Sequence, residues 1–214
     1  MARTVSLAQF QRGSAPSLPE DKKEKCGVVG VWGVERPAEV CYLATYAQQH
    51  RGQESAGIAV ANPDGVIEGH SGMGLVSDVF NRRVLGELDG ASPRGAIAHN
   101  RYSTAGGSLT CNVQPLIERY HGGNIAVAHN GNLINASAMR ERFSKAGHLF
   151  HTTSDTEVMI HLIASPEMPE SRDEAVAAML RRLQGAFSAV MLFHDRIEAA
   201  RDPWGWRPLV LGRL

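Results

Sequence analysis

The strongest constraint on how this chain can fold is the tetrapeptide Asn62-Pro63-Asp64-Gly65, which separates two strand-like runs, Ala56 to Ala61 and Val66 to His70. Turn residues this dense between short apolar runs form a hairpin, and a hairpin pairs its strands antiparallel, because a parallel return needs a long crossover. Strands on either side of Asp195, expected over Ala186 to Phe193 and Arg196 to Arg201, carry the same implication. Others are expected over Cys26 to Val34, Gly95 to Asn100 and Asn124 to His129. Helices come between these groups. Pro37 opens an amphipathic segment with Val40, Leu43, Ala44 and Ala47 on one face, closing near Gly52. A second helix runs from near Asn135 to Gly147, and Ser-x-x-Glu capping boxes at Ser154-Glu157 and Ser171-Glu174 announce two more. Periodicity leaves a parallel α/β sheet and an α+β sandwich both open, with antiparallel pairing favoured.

Composition narrows the function. Lys plus Arg equals Asp plus Glu at 22 each, so no net field draws the chain to nucleic acid or to an acidic membrane surface. No apolar run is long enough to span a bilayer or to serve as a signal-peptide core. The three cysteines, Cys26, Cys41 and Cys111, are odd in number and form no CxxC pair, which argues against a disulfide framework or a zinc cage and points to a reducing cytoplasm. With 214 residues, the chain can bury a core without a staple. Residues 1–25 read as a mobile tail, with two prolines and the charge cluster Asp21 to Lys25 near its end.

The tail stops at Cys26, where an apolar, glycine-spaced strand begins. A cysteine in such a strand is more often a small core residue than a catalyst. Its position at the edge of a removable tail changes the balance. Cutting the Lys25–Cys26 bond would give Cys26 an α-amine with a pKa of about 7.7–8.0, near the optimum for a general base, beside its own thiol. Polar residues also crowd the strand ends, at 49–55, 99–104, 129–132 and 152–155, where a rigid scaffold presents functional groups.

Seven strings occur in one order: Cys-Gly-Val-Val-Gly at the tail junction, then those at 49–58, 74–80, 101–106 (Arg-Tyr-Ser-Thr-Ala-Gly), 128–133 (Ala-His-Asn-Gly-Asn-Leu), 152–157 (Thr-Thr-Ser-Asp-Thr-Glu) and 201–209. Together they resemble the glutamine phosphoribosylpyrophosphate amidotransferase family, from Cys26 to the carboxyl end. That resemblance implies an amino-terminal-nucleophile (Ntn) hydrolase fold, an α+β four-layer αββα sandwich of two antiparallel sheets. It implies a propeptide at 1–25 and a class II glutaminase domain at 26–214, with the family's phosphoribosyltransferase domain absent from this chain. Cys26 would be the nucleophile, with Asn130 and Gly131 as oxyanion donors. Arg101 would clamp the glutamine carboxylate and Asp155 its ammonium, while Tyr102 and Thr104 belong to a segment, 102–110, that closes over the substrate.

The resemblance further implies L-glutamine as substrate, ammonia passed to phosphoribosylpyrophosphate in purine synthesis, and a homo-oligomer. It implies no cofactor or metal in this segment. Mg²⁺ with phosphoribosylpyrophosphate, and the 4Fe–4S cluster of tail-bearing relatives, belong to the missing second half, since three scattered cysteines cannot build a cluster here. The alternatives are the glutaminase domains of sister enzymes making glucosamine phosphate, asparagine or glutamate, and an unprocessed, non-catalytic module of the same fold. Asn100 departs from the apolar residue expected before the arginine. Trp204 and Trp206 are bulky for their string.

Overall fold

A computed structural model describes residues 26–102 and 109–213. Its elements run β1 (Gly27–Trp32), α1 (Pro37–Ala47), β2 (Ser55–Ala61), β3 (Ile67–Met73), α2 (Val76–Val79), α3 (Arg82–Asp89), β4 (Gly95–Arg101), β5 (Leu116–Tyr120), β6 (Gly123–Leu133), α4 (Ala136–Lys145), α5 (Thr156–Ala164), α6 (Arg172–Arg182), β7 (Gly185–Phe193) and β8 (Ile197–Arg201). Two four-stranded sheets form, ordered β1-β4-β2-β3 and β5-β6-β7-β8, and every pairing is antiparallel. The parallel alternative is excluded.

Period-two alternation explains why the sheets stack. In β2 and β4, Ala56, Ile58, Val60, Ala96 and Ala98 face the layer of α1, α2 and α3, packing with Cys41, Val76, Phe80 and Leu85. The residues between them, Ala59, Ala61 and Ile97, face the second sheet and meet Ala126, Ala128, Val190 and Leu192. The outer faces of β6 and β7 present Ile125, Val127, Phe187 and Met191 to a cluster that includes Val158, Met159 and Met179. Three apolar seams therefore bind four layers, as the αββα expectation requires. Four alanines, Ala59, Ala61, Ala126 and Ala128, fill much of the central seam.

The elements begin and end for local reasons. Arg36 supplies no side-chain cap to α1, so Asp89 at the end of α3 takes over, accepting from the amides of Ala38 (2.9 Å) and Glu39 (3.2 Å). α1 stops at Ala47 rather than near Gly52, and a 3₁₀ turn, Gln49–Arg51, carries the chain onward. Gly52 then passes so close to β4 that a Cβ would lie 2.7 Å from the Asn100 backbone. Asn100 itself is inaccessible, and its Nδ2 donates to the carbonyls of Gln48 (2.8 Å) and Gly52 (3.4 Å). A polar residue precedes the arginine because it ties the end of α1 to the strand.

Neither capping box forms as expected. α5 starts at Thr156 with Asp155 as its N-cap, and the Ser171 side chain makes no capping bond to α6. Trp204 and Trp206 are 81% and 73% exposed, so their bulk strains nothing. The turn that carries them hangs on buried Asp202, which accepts from the amides of Trp204 (3.0 Å), Trp206 (3.3 Å) and Phe187 (3.3 Å).

Candidate active site

One cavity of about 350 Å³ opens at the polar end of the sheets. Of the expected site residues, Cys26, Arg101, Tyr102, Gly131 and Asp155 line its wall. Thr104 and the tail at 1–25 lie outside the described residues, as does most of the expected lid. Asn130 stands one residue behind the wall, only 4% exposed and paired with Ser188 across the sheet. Its Oδ1 is buried without a hydrogen-bond partner.

Cys26 immediately precedes β1, whose first residue pairs with Asn100, and this places the cysteine beside Arg101 at the end of β4. The Arg51 Nε donates to the Cys26 carbonyl (3.1 Å), and the thiol contacts the Tyr102 carbonyl at 3.9 Å. Burial pushes the thiol pKa up, against smaller opposing effects from the Tyr102 carbonyl contact and the Arg101 charge. The thiolate is therefore scarce at neutral pH, and a base is needed to generate it.

The Arg101 guanidinium is held from two sides. Its Nη1 donates to the Asn112 carbonyl (3.2 Å), and Glu54 lies 3.9 Å from its Nε. Asp155 lies across the cavity wall at the start of α5. Burial opposes its ionisation, but the His129 ring at 3.4 Å and the Leu133 amide, donating at 2.9 Å, outweigh this and hold its carboxyl below the ordinary range. The cavity thus offers a thiol, a fixed guanidinium and an ionised carboxylate.

Gly131 has φ of +141°, and a Cβ there would lie 2.0 Å from the Ala186 carbonyl. Only glycine fits, and β6 continues past His129, where the expected strand ends, because β7 pairs with it as far as Leu133.

His99 is tied into the fold: its Nε2 bonds the His129 carbonyl at 3.2 Å, and burial lowers its pKa to about 3. His129 also lines the cavity, whereas His50 is exposed. The cysteines are all free, with Cys41 buried in α1 and Cys111 exposed, and no three His, Cys, Asp or Glu among the described residues converge to hold a metal ion.

Several wall residues were not legible as site residues. Asn112, Gln114, Arg140 and Thr153 line the cavity. Gln114 Oε1 accepts from the His129 amide (2.7 Å), and Arg140 donates to the carbonyls of Thr152 (2.9 Å) and Ser154 (2.6 Å). Glu157, expected to cap a helix, instead accepts from the amides of His151 (2.7 Å) and Thr152 (3.0 Å) and from the Thr152 hydroxyl (2.8 Å). Each brace joins residues from different elements or across a loop, so no short pattern marks it.

A family model described as a glutamine amidotransferase domain matches residues 99–214. Amidophosphoribosyltransferase 1, chloroplastic, of Arabidopsis thaliana is 47% identical over 194 residues, covering 91% of this chain and 34% of the plant protein. The amidophosphoribosyltransferase of Lacticaseibacillus casei is 43% identical over 198 residues, covering 92% of this chain and 100% of that relative. The solved structure of glutamine phosphoribosylpyrophosphate amidotransferase from B. subtilis, complexed with ADP and GMP, superposes with a TM-score of 0.77 at 36% identity, over 85% of this chain and 38% of that one. The chain spans about a third of the length of the Arabidopsis relatives.

Proposed function

Since this chain belongs to the amidophosphoribosyltransferase family and spans its glutamine amidotransferase domain, we propose that it hydrolyses L-glutamine through Cys26 once residues 1–25 are removed. The observation that carries this reading is the meeting of the Cys26 thiol, the Arg101 guanidinium and the ionised Asp155 in one cavity of about 350 Å³, a volume suited to a small polar molecule. Arg101 binds the α-carboxylate with its planar fork and Asp155 binds the α-ammonium, which distinguishes glutamine from simple amides. Tyr102, on the wall beside Arg101, is a further substrate contact.

The chemistry then needs a base, because burial leaves Cys26 protonated. Its own α-amine, freed by loss of the tail, takes the thiol proton as Sγ bonds to the side-chain amide carbon and the carbonyl electrons move to oxygen. The Gly131 N–H and the Asn130 amide stabilise that oxyanion. Removing one such donor typically slows a reaction about 10²–10³-fold. Collapse expels ammonia with the proton held by the amine, leaving a γ-glutamyl thioester. Water adds to the thioester, giving up a proton to the same amine, and release of glutamate restores the thiol.

In the longer protein, ammonia passes to the phosphoribosyltransferase domain and converts phosphoribosylpyrophosphate to phosphoribosylamine for purine synthesis. Mg²⁺ and any cluster would act there, and no step above runs through either. The protein works in the cytoplasm as a homo-oligomer, and no helix among the described residues is long and apolar enough to cross a membrane.

Intact-mass measurement of the purified protein, with and without a diazoketone analogue of glutamine, tests this reading. Loss of residues 1–25 and one adduct on Cys26 are expected. Full-rate glutamine hydrolysis by protein that retains residues 1–25 would falsify the α-amine mechanism.

A further inference from the structure

Asn112 joins the two halves of the cavity wall. It lies in the 3₁₀ turn Thr110–Asn112 and is 2% exposed. Its carbonyl accepts from Arg101 Nη1 at 3.2 Å. Its side chain grips Thr153 twice, Oδ1 accepting from the Thr153 amide at 2.9 Å and Nδ2 donating to the Thr153 hydroxyl at 2.7 Å. Thr153 stands two residues before Asp155, on the loop that presents that carboxylate. One residue therefore touches the guanidinium on one wall and the Asp155 loop on the other.

The other braces of this loop do a different job. Arg140 fixes the Thr152 and Ser154 carbonyls to α4, and Glu157 fixes the amides of His151 and Thr152 to α5. Neither reaches Arg101. From this geometry we infer that Asn112 is a positioning residue that sets the separation between Arg101 and Asp155, and so fits the site to a carboxylate and an ammonium carried on one carbon. This rests on the glutamine reading above and deepens it. Asn112 touches Arg101 and Thr153 rather than the reacting atoms, so its loss changes recognition of the α-carbon's charged groups more than the chemistry at the thiol. A ligand bound through both groups depends on the spacing of Arg101 and Asp155, whereas a reagent without those groups does not.

The test compares two reagents on the purified, processed chain, read by mass on the Cys26 peptide so that exposed Cys111 does not interfere. The diazoketone analogue of glutamine carries both charged groups on its α-carbon, and iodoacetamide carries neither. Asn112→Ala is expected to raise the half-saturating concentration of the analogue about 10-fold, with its limiting rate and the iodoacetamide rate changed less than about 2-fold. Thr153→Val removes the hydroxyl half of the grip and is expected to give a smaller rise, about 3-fold. If the two residues act through one contact, the double variant is no worse than Asn112→Ala alone.

An unchanged half-saturation in Asn112→Ala, with saturable labelling of the parent, overturns the inference and leaves the glutamine reading standing. Equal losses with both reagents make Asn112 merely structural and also overturn it. A parent that shows no saturable labelling sinks the glutamine reading and this inference together. If Asn112→Ala does not fold, Thr153→Val decides the matter, and an unchanged half-saturation there is the refuting result.

Discussion

Replacing Gly131 with alanine should damage stability and catalysis by separate routes, and the structure sets the scale of each. The added Cβ would lie 2.0 Å from the Ala186 carbonyl and 2.7 Å from the Phe187 Cα, both backbone atoms of β7. Neither can swing aside as a side-chain end can, so reaching even 3.0 Å from the carbonyl requires about 1 Å of movement between β6 and β7. Alanine at φ of +141° adds strain of about 1–3 kcal/mol, and overpacking adds a similar amount. A total near 4 kcal/mol lowers the melting temperature by roughly 8–16 °C in a domain of this size. Because the Gly131 N–H is proposed to bind the oxyanion, the same displacement should slow glutamine turnover by about 10² or more in the fraction that remains folded. Gly123 is the control. It lies at the far end of β6 with φ of +109° and open space around its Cβ position, so Gly123→Ala costs strain alone and should leave turnover near the parent rate. Calorimetry and an ammonia-release assay well below both melting points read the two effects. A Gly131→Ala protein that melts within about 2 °C of the parent and turns over normally would refute the reasoning.

Cys26→Ala should abolish glutamine hydrolysis while shifting the melting temperature little, because the residue is only partly buried and precedes β1; residual turnover at the parent rate would reject the nucleophile. Asp155→Asn keeps an oxygen to accept from the Leu133 amide but loses the charge that would face an ammonium, so the KM for glutamine should rise about 10-fold or more with the fold retained. Steady-state kinetics check this, and an unchanged KM would leave Asp155 only its structural contacts with the Leu133 amide and the His129 ring. His99 gives a pH signature: its folded pKa of about 3 lies below the ordinary histidine value of about 6.5, so the unfolded chain binds the extra proton first. Its contribution is complete above about pH 6.5 and drains away as the pH falls toward 3, at up to about 1.4 kcal/mol per pH unit. Urea unfolding of His99→Gln across that window should show a shallower slope than the parent, and identical slopes would rule the assignment out.

Local chemistry made most of the architecture readable before any coordinates. The Asn62–Gly65 turn, the β-branched runs and the proline at the start of α1 are short-range signals, and their elements stand close to where the residues put them. β5 escaped because it is an edge strand, mostly exposed and paired only with β6, so it has no apolar face to alternate. α3 spans only eight residues, yet Asn81 caps it and Val84, Leu85 and Leu88 are spaced to face a core, so its signal is local as well. β6 runs past its expected end at His129 although Asn130, Gly131 and Asn132 favour turns, because the pairing with β7 holds them extended.

The site divides in the same way. Cys26, Arg101, Tyr102, Gly131 and Asp155 could be named from strings in the chain, and they do share one cavity. That Asn112 grips Thr153 from 41 residues away, or that Glu157 turns from a helix cap into a loop brace, no local pattern could state. Strand and turn preferences are written over a few neighbouring residues, so the sequence determined which segments pair and where polar groups gather. Hydrogen bonds between distant segments exist only after the sheets stack, so the tertiary structure alone decided which of those groups hold the cavity in shape.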